Sequence, residues 1–118
     1  MLVGYVFFNS QPKYNLYKRL GIAEIQDLNV HPDHRRQGYA TMLIQACENI
    51  SVESGDNMIG ISVGLTADYG PAQRLYNKLG YEPDGNGVTY DRQAVEHGAK
   101  MSVDDDLCLM LIKTLHDT

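Results

Sequence analysis

Along residues 59–65, bulky and small side chains alternate. Ile59, Ile61, Val63 and Leu65 share one parity, and Gly60, Ser62 and Gly64 share the other. Successive side chains of an extended chain point to opposite faces, so the segment 58–65 reads as a strand with one bulky face and one nearly bare face. A bare face leaves room beside the strand or admits a closely packed helix.

The remaining elements follow from the same reading. Residues 2–8, Leu-Val-Gly-Tyr-Val-Phe-Phe, are apolar and aromatic and stop at Asn9, Ser10 and Pro12, which predicts a strand followed by a loop. A second strand over 22–30 is closed by His31-Pro32, because proline disfavours helical geometry in the residue before it. From 38 to 51, Ala40, Leu43, Ile44, Cys47 and Ile50 recur at three- and four-residue intervals and predict a helix with one buried stripe. A second helix over 71–79 opens on Pro71, carries Ala72, Leu75, Tyr76 and Leu79 on its stripe, and stops at Gly80. Beyond it come a short strand at 81–84, a loop at 84–87, a strand at 88–95 and a last strand at 107–115.

With 118 residues, 43% of them hydrophobic, the chain supports one core and therefore one domain over 1–118. No run approaches the roughly 18 apolar residues of a membrane span, and the start has no basic region or cleavage site of a leader, so a soluble, cytoplasmic protein is expected. Cys47 and Cys108 lack CxxC spacing and are expected to be a buried, reduced pair. The formal charge of −5 argues against a nucleic-acid binder and fits a cationic acceptor. Asp104, Asp105 and Asp106 read as a solvated turn, and His31, Asp33 and His34 as surface or cap chemistry, so no metal is expected.

The most informative stretch is 30–41, where a strand hands over to a helix. The first N–H groups of a helix have no internal partners, and the aligned peptide dipoles add positive potential there, so a pyrophosphate can sit on that end. Gly38 lets the backbone approach, Ala40 keeps the next turn narrow, Arg35 and Arg36 bring charge, and the Thr41 hydroxyl can donate a further hydrogen bond.

Arg35-x-x-Gly38-x-Ala40 resembles the Arg/Gln-x-x-Gly-x-Gly/Ala coenzyme-A motif of the GNAT acyltransferase superfamily, and it follows a strand ending Leu28-x-Val30-x-Pro32 as in that family. Downstream, the run from Ala72 through Leu75, Tyr76, Lys78 and Gly80 to Tyr81 is similar to the family's Ala-x-x-Leu-Tyr-x-Lys-x-Gly-Phe/Tyr helix. The resemblance implies an α+β fold of three layers, with a mixed central sheet of about five to six strands and two main helices. It implies acetyl-CoA as co-substrate, bound by Leu28, Val30, Arg35, Arg36, Gln37, Gly38, Tyr39, Ala40 and Thr41. The acceptor implied is a primary amine on a small molecule or peptide, acetylated directly in a ternary complex.

The same resemblance suggests catalytic residues. Tyr76 falls where the family places a general acid for the departing thiolate. Glu24 falls where the histone-acetylating branch carries its base, with Asp27 as rival. Strand parity lets only one of these two face the acceptor, unless a bulge between them reverses the choice. A backbone N–H near Val30 is expected to polarise the thioester carbonyl. One departure is Tyr69, where many relatives carry an asparagine that contacts the pantetheine arm. The family's usual first strand, two helices and second strand have no counterpart before residue 2. The apolar strand 2–8 is therefore expected to be covered by a second subunit in a homodimer or larger assembly, or by a missing half on another polypeptide. The alternative to an enzyme is a non-catalytic acyl-CoA-binding module.

Overall fold

A computed structural model describes residues 2–115. Among the described residues, six strands form one sheet in the order β1-β2-β3-β6-β4-β5. They are β1 (Gly4–Asn9), β2 (Glu24–Val30), β3 (Met58–Gly64), β4 (Glu82–Tyr90), β5 (Gln93–Ala94) and β6 (Leu107–Thr114). The neighbours β2 and β3 run parallel and all other pairs are antiparallel. Helix α2 (Tyr39–Glu53) and helix α3 (Gly70–Lys78) lie on one face, and α1 (Asn15–Leu20) lies on the other, which makes the expected mixed sheet in three layers.

The alternation in β3 builds both cores. Ile59, Ile61 and Val63 pack with Ile25 of β2, Ile44 and Cys47 of α2 and Tyr76 of α3. On the bare face, α1 lays the ring of Tyr17 over Gly60, where an added Cβ would lie 2.3 Å from the ring. The helix alternative for the bare face is therefore realised at Gly60. At Gly64 the ring of Tyr69 takes the same place, again 2.3 Å from where a Cβ would stand. Tyr17 is fully buried, and its hydroxyl donates to the carbonyl of Leu111.

Several boundaries differ from the sequence reading. Helix α1 falls where only a loop was expected: six residues are too short to display a stripe, and its signals are Lys18 and Arg19 in the last turn and the left-handed cap at Gly21 (φ 67°). The segment 84–87 is not a loop between two strands but a wide bulge inside β4, since Pro83 pairs with Leu111 and Val88 with Leu109. Four residues thus oppose Met110 alone, and Asp84 in the bulge accepts a hydrogen bond from Tyr14 just ahead of α1. The strand expected over 88–95 turns at Asp91 and Arg92 (φ 47° and 62°), which leaves β5 only two residues. In α2 the buried residues are Ile44, Cys47 and Ser51, whereas Ile50, assigned to the stripe, is 45% exposed. Cys47 is buried but Cys108 only half so, and both are free thiols.

Burial pushes the phenols of Tyr17, Tyr76 and Tyr81 upward, that of Tyr76 to about 12, and Glu48 reinforces the rise at Tyr81 by accepting its hydroxyl hydrogen bond. A raised folded-state pKa means that the native protein holds its proton more tightly than the unfolded chain. The associated stability is complete below about pH 10, the ordinary tyrosine value, and is lost as pH rises through the folded values. The unfolding free energy, and with it the urea midpoint, is therefore expected to fall between pH 10 and 12, the free energy by up to about 1.4 kcal/mol per pH unit for each tyrosine. A midpoint constant to pH 11.5 would contradict this burial.

Candidate active site

The strands β2 and β3 meet only at Glu24 opposite Gly60 and Ile25 opposite Ile61, with the Gly60 N–H donating to Ala23 O at 3.0 Å. Past Ile25 they separate. The cause lies in β2, where the pairing with β1 jumps from Phe7–Gln26 to Tyr5–Asn29, so that Asp27 and Leu28 oppose Val6 alone. Asp27 sits in the left-handed region (φ 53°), and such a bulge bends its strand.

Two clefts border β2 past Ile25, and the second lies between β2 and β3. The first, about 640 Å³, is lined by Leu28, Val30, Arg35, Gly38, Ala40 and Tyr76 among others. The second, about 380 Å³, is lined by Asp27, Ser62, Tyr69, Arg92, Asp105 and Cys108 among others. Leu28, Asn29 and Tyr76 belong to both linings, so the clefts adjoin through the gap in the sheet.

The start of helix α2 opens on the first cleft without a side-chain cap. Gly38 caps α2 in the left-handed region (φ 82°), no side chain caps the end, and the first helical bond runs from Met42 N–H to Gly38 O. The N–H groups of Tyr39, Ala40 and Thr41 are therefore left over at the mouth of the cleft. A Cβ on Gly38 would meet nothing within 4 Å, so the need for glycine is conformational rather than steric. Arg35 is anchored to the end of β2, its Nε donating to Val30 O at 3.2 Å. Arg36 also lines the cleft from a left-handed conformation (φ 63°), whereas Gln37 is absent from the lining. Arg74 of α3 adds a third cation that the sequence reading overlooked, although it lies inside the segment from Ala72 to Tyr81.

Tyr76 is 7% exposed, packs edge-on to Tyr81 at 6.3 Å between ring centroids, and has no hydrogen-bond partner for its hydroxyl among the described residues. Desolvation raises its pKa to about 12, so the phenol stays protonated at neutral pH. The two carboxylates on β2 differ sharply. Asp27 is exposed on the second cleft, whereas Glu24 is fully buried, belongs to neither lining and pairs with Arg92. The Tyr69 hydroxyl donates to Asp105 at 3.0 Å across the second cleft. Around the turn, the ring nitrogen of His31 accepts from Asp33 N–H at 3.2 Å, which is cap chemistry. Among the described residues, no group of three or more His, Cys, Asp or Glu is gathered closely enough to hold a metal ion, and no helix is long and apolar enough to cross a membrane.

A splayed parallel pair with an uncapped, arginine-flanked helix end at its mouth is the architecture of the acyl-CoA N-acyltransferase fold. The chain belongs to the acetyltransferase (GNAT) family, whose sequence model matches residues 2–81. Among solved structures, it is similar to nourseothricin acetyltransferase, with 21% identity and a TM-score of 0.66 over 96% of this chain and 58% of that one. It is also similar to the acetyltransferase-like YncA of Salmonella typhimurium, solved with its cofactor acetyl-CoA (17%, TM-score 0.64, 100% of this chain and 61% of that one). A GNAT-family acetyltransferase from Staphylococcus aureus Mu50 shares 13% identity at a TM-score of 0.60, over 98% of this chain and 61% of that one. The chain thus spans about three fifths of the length of these structures. No curated protein matches it at a significant level.

Proposed function

We propose that the chain transfers an acetyl group from acetyl-CoA to a primary amine, directly and within a ternary complex. The observation that supports this reading is the junction of the two clefts at Tyr76 and Leu28, which would give donor and acceptor separate entrances to one point. The free N–H groups at the start of α2, with Arg35 and Arg36, would hold the pyrophosphate; the unpaired edge of β2 at Leu28 and Val30 would hold the pantetheine arm. Bound there, acetyl-CoA supplies an activated acyl group. A backbone N–H near Val30 polarises its carbonyl, and Tyr76 donates a hydrogen bond to the departing sulfur. Asp27, exposed in the second cleft, attracts the ammonium form of the acceptor and takes its proton directly or through water.

The deciding experiment is acetyl-CoA consumption across a panel of amines that includes 1,4-diaminobutane, a lysine-containing peptide and an aminoglycoside. Turnover with at least one of them is expected. Tight coenzyme binding without any turnover would instead identify a binding module, in keeping with Tyr69 standing where many relatives carry asparagine. Within the donor site, Arg35→Ala is expected to raise the dissociation constant for CoA about tenfold, since one charge-assisted contact to phosphate contributes about 1.5 kcal/mol. Calorimetric titration checks this, and an unchanged constant would remove Arg35 from the phosphate site.

The homodimer remains part of the proposal. Leu2, Tyr5 and Phe7 are 70%, 51% and 51% exposed, and β1 forms an edge of the sheet among the described residues. A second copy packed on this surface would cover both, and Phe7→Lys is expected to convert a dimer to a monomer in sedimentation.

A further inference from the structure

The pairing of Glu24 with Arg92 has a chemical consequence for the acceptor cleft. Arg92 NH2 lies 2.8 Å from Glu24 Oε2, and its Nε donates to both carboxylate oxygens at 3.3 and 3.4 Å. Glu24 has no exposed surface, and its place on β2 is the last stretch before the strand parts from β3. Arg92 lines the second cleft together with Asp27, Asp105 and Asp106.

Two features show that Arg92 occupies its position for its side chain. The tight turn at Asp91 and Arg92 places both residues in the left-handed region, a geometry that favours asparagine or aspartate at the first position and glycine at the second. The chain carries arginine there, and the guanidinium closes on a buried carboxylate 68 residues earlier. Lys13 pairs with Asp91 of the same turn at 3.4 Å, so the tip is tied twice to the first 24 residues. A guanidinium beside an amine-binding cleft opposes a cationic acceptor unless its charge is neutralised. Glu24 supplies that neutralisation from behind, leaving the carboxylates of Asp27, Asp105 and Asp106 to set the sign of the cleft.

We propose that Glu24 is a positioning residue, not the proton acceptor: through its ion pair it pins Arg92 in the wall of the second cleft and masks the arginine charge, so that the cleft accepts a cationic amine. This rests on the acetyl-transfer reading above and deepens it.

The test uses Glu24→Gln, which keeps the shape and removes the charge, and the double variant Glu24→Gln/Arg92→Met, which removes both charges. With 1,4-diaminobutane, or the panel amine that turns over fastest, Glu24→Gln is expected to raise KM for the amine five- to tenfold. Its kcat should stay within twofold and its KM for acetyl-CoA should not change. The double variant should return the amine KM to within twofold of the parent, because the unmasked cation is gone. A hundredfold fall in kcat in both variants, with KM unchanged, would make Glu24 the base and overturn the proposal. Hydrogen exchange at residues 91–94 supplies a readout independent of turnover: Glu24→Gln should speed it at least tenfold relative to the β3–β6 core. If no amine is acetylated by the parent, the acetyl-transfer reading falls and this exchange alone decides whether the pair pins the turn. Unchanged exchange there overturns the proposal as well.

Discussion

Replacing Tyr76 by phenylalanine is expected to lower kcat for acetyl transfer about a hundredfold while leaving the dissociation constant for acetyl-CoA within twofold. The substitution removes one oxygen from a ring that is otherwise held by packing, edge-on to Tyr81 and within the core of Ile61 and Val63, so the site keeps its shape. General acids contribute about 10² to 10⁴ in rate, and the low end applies here because a thiol of pKa near 8.5 leaves tolerably as an anion. A phenol raised to about 12 does not readily surrender its proton to such a thiolate. Desolvation destabilises a thiolate at the same spot, however, which narrows the gap, and a hydrogen bond that strengthens as charge develops on sulfur captures most of the benefit. The pH profile gives a second check. Activity should climb as the acceptor amine loses its proton and show no descending limb from Tyr76 below about pH 11. Equal turnover of the two proteins would remove Tyr76 from the chemistry.

Gly60→Ala is expected to destabilise the fold by about 3 kcal/mol, at the upper end of ordinary overpacking. The new methyl group would stand 2.3 Å from Tyr17 Cζ and 2.4 Å from Cε2. The ring cannot retreat easily, since it is fully buried and its hydroxyl is tied to the Leu111 carbonyl on β6. Tyr17→Leu alone also destabilises, by removing the ring and its hydrogen bond. The two changes together should nevertheless destabilise by much less than the sum of the single effects, because the smaller side chain leaves room for the methyl group. Urea unfolding of the four proteins measures the coupling. Simple additivity would mean that α1 does not pack against β3 in this way.

What the sequence disclosed was what neighbouring residues encode. The periodicity of α2, the alternation of β3 and the turn from Arg35 to Thr41 each lie within about 15 residues; both elements form, with Ile50 turned outward from the α2 stripe, and the turn joins β2 to α2 with Gln37 outside the cleft lining. The occupant of the bare face was beyond that range: Gly60 announces a close approach, but Tyr17 lies 43 positions earlier in a helix too short to show a period. The same holds for Glu24, whose motif position points to a base while its partner Arg92 lies 68 positions later, at a turn position where glycine is usual. Asp27 was legible as a rival, but which of the two carboxylates faces the cleft turned on a bulge, and that bulge depends on the pairing register with β1. The four residues at 84–87 looked like a loop because Gly85 and Gly87 punctuate them, yet the flanking residues still pair with β6.

The two-residue meeting of β2 and β3 also bears on how the molecule holds together. A sheet is ordinarily continuous because each strand is stitched to the next along its length, and here that stitching nearly stops in the middle. On one side lie β1 and β2, on the other the four strands from β3 to β5, with α2 packed across the seam. An extended, backbone-like molecule lying along the open edge of β2 would supply the missing stitches and act as a structural member of the fold for as long as it stayed. The empty protein should therefore flex as two plates about Ile25 and Ile61, and the filled one should melt as a single unit. Substrate occupancy would then be registered in the mechanical wholeness of the sheet.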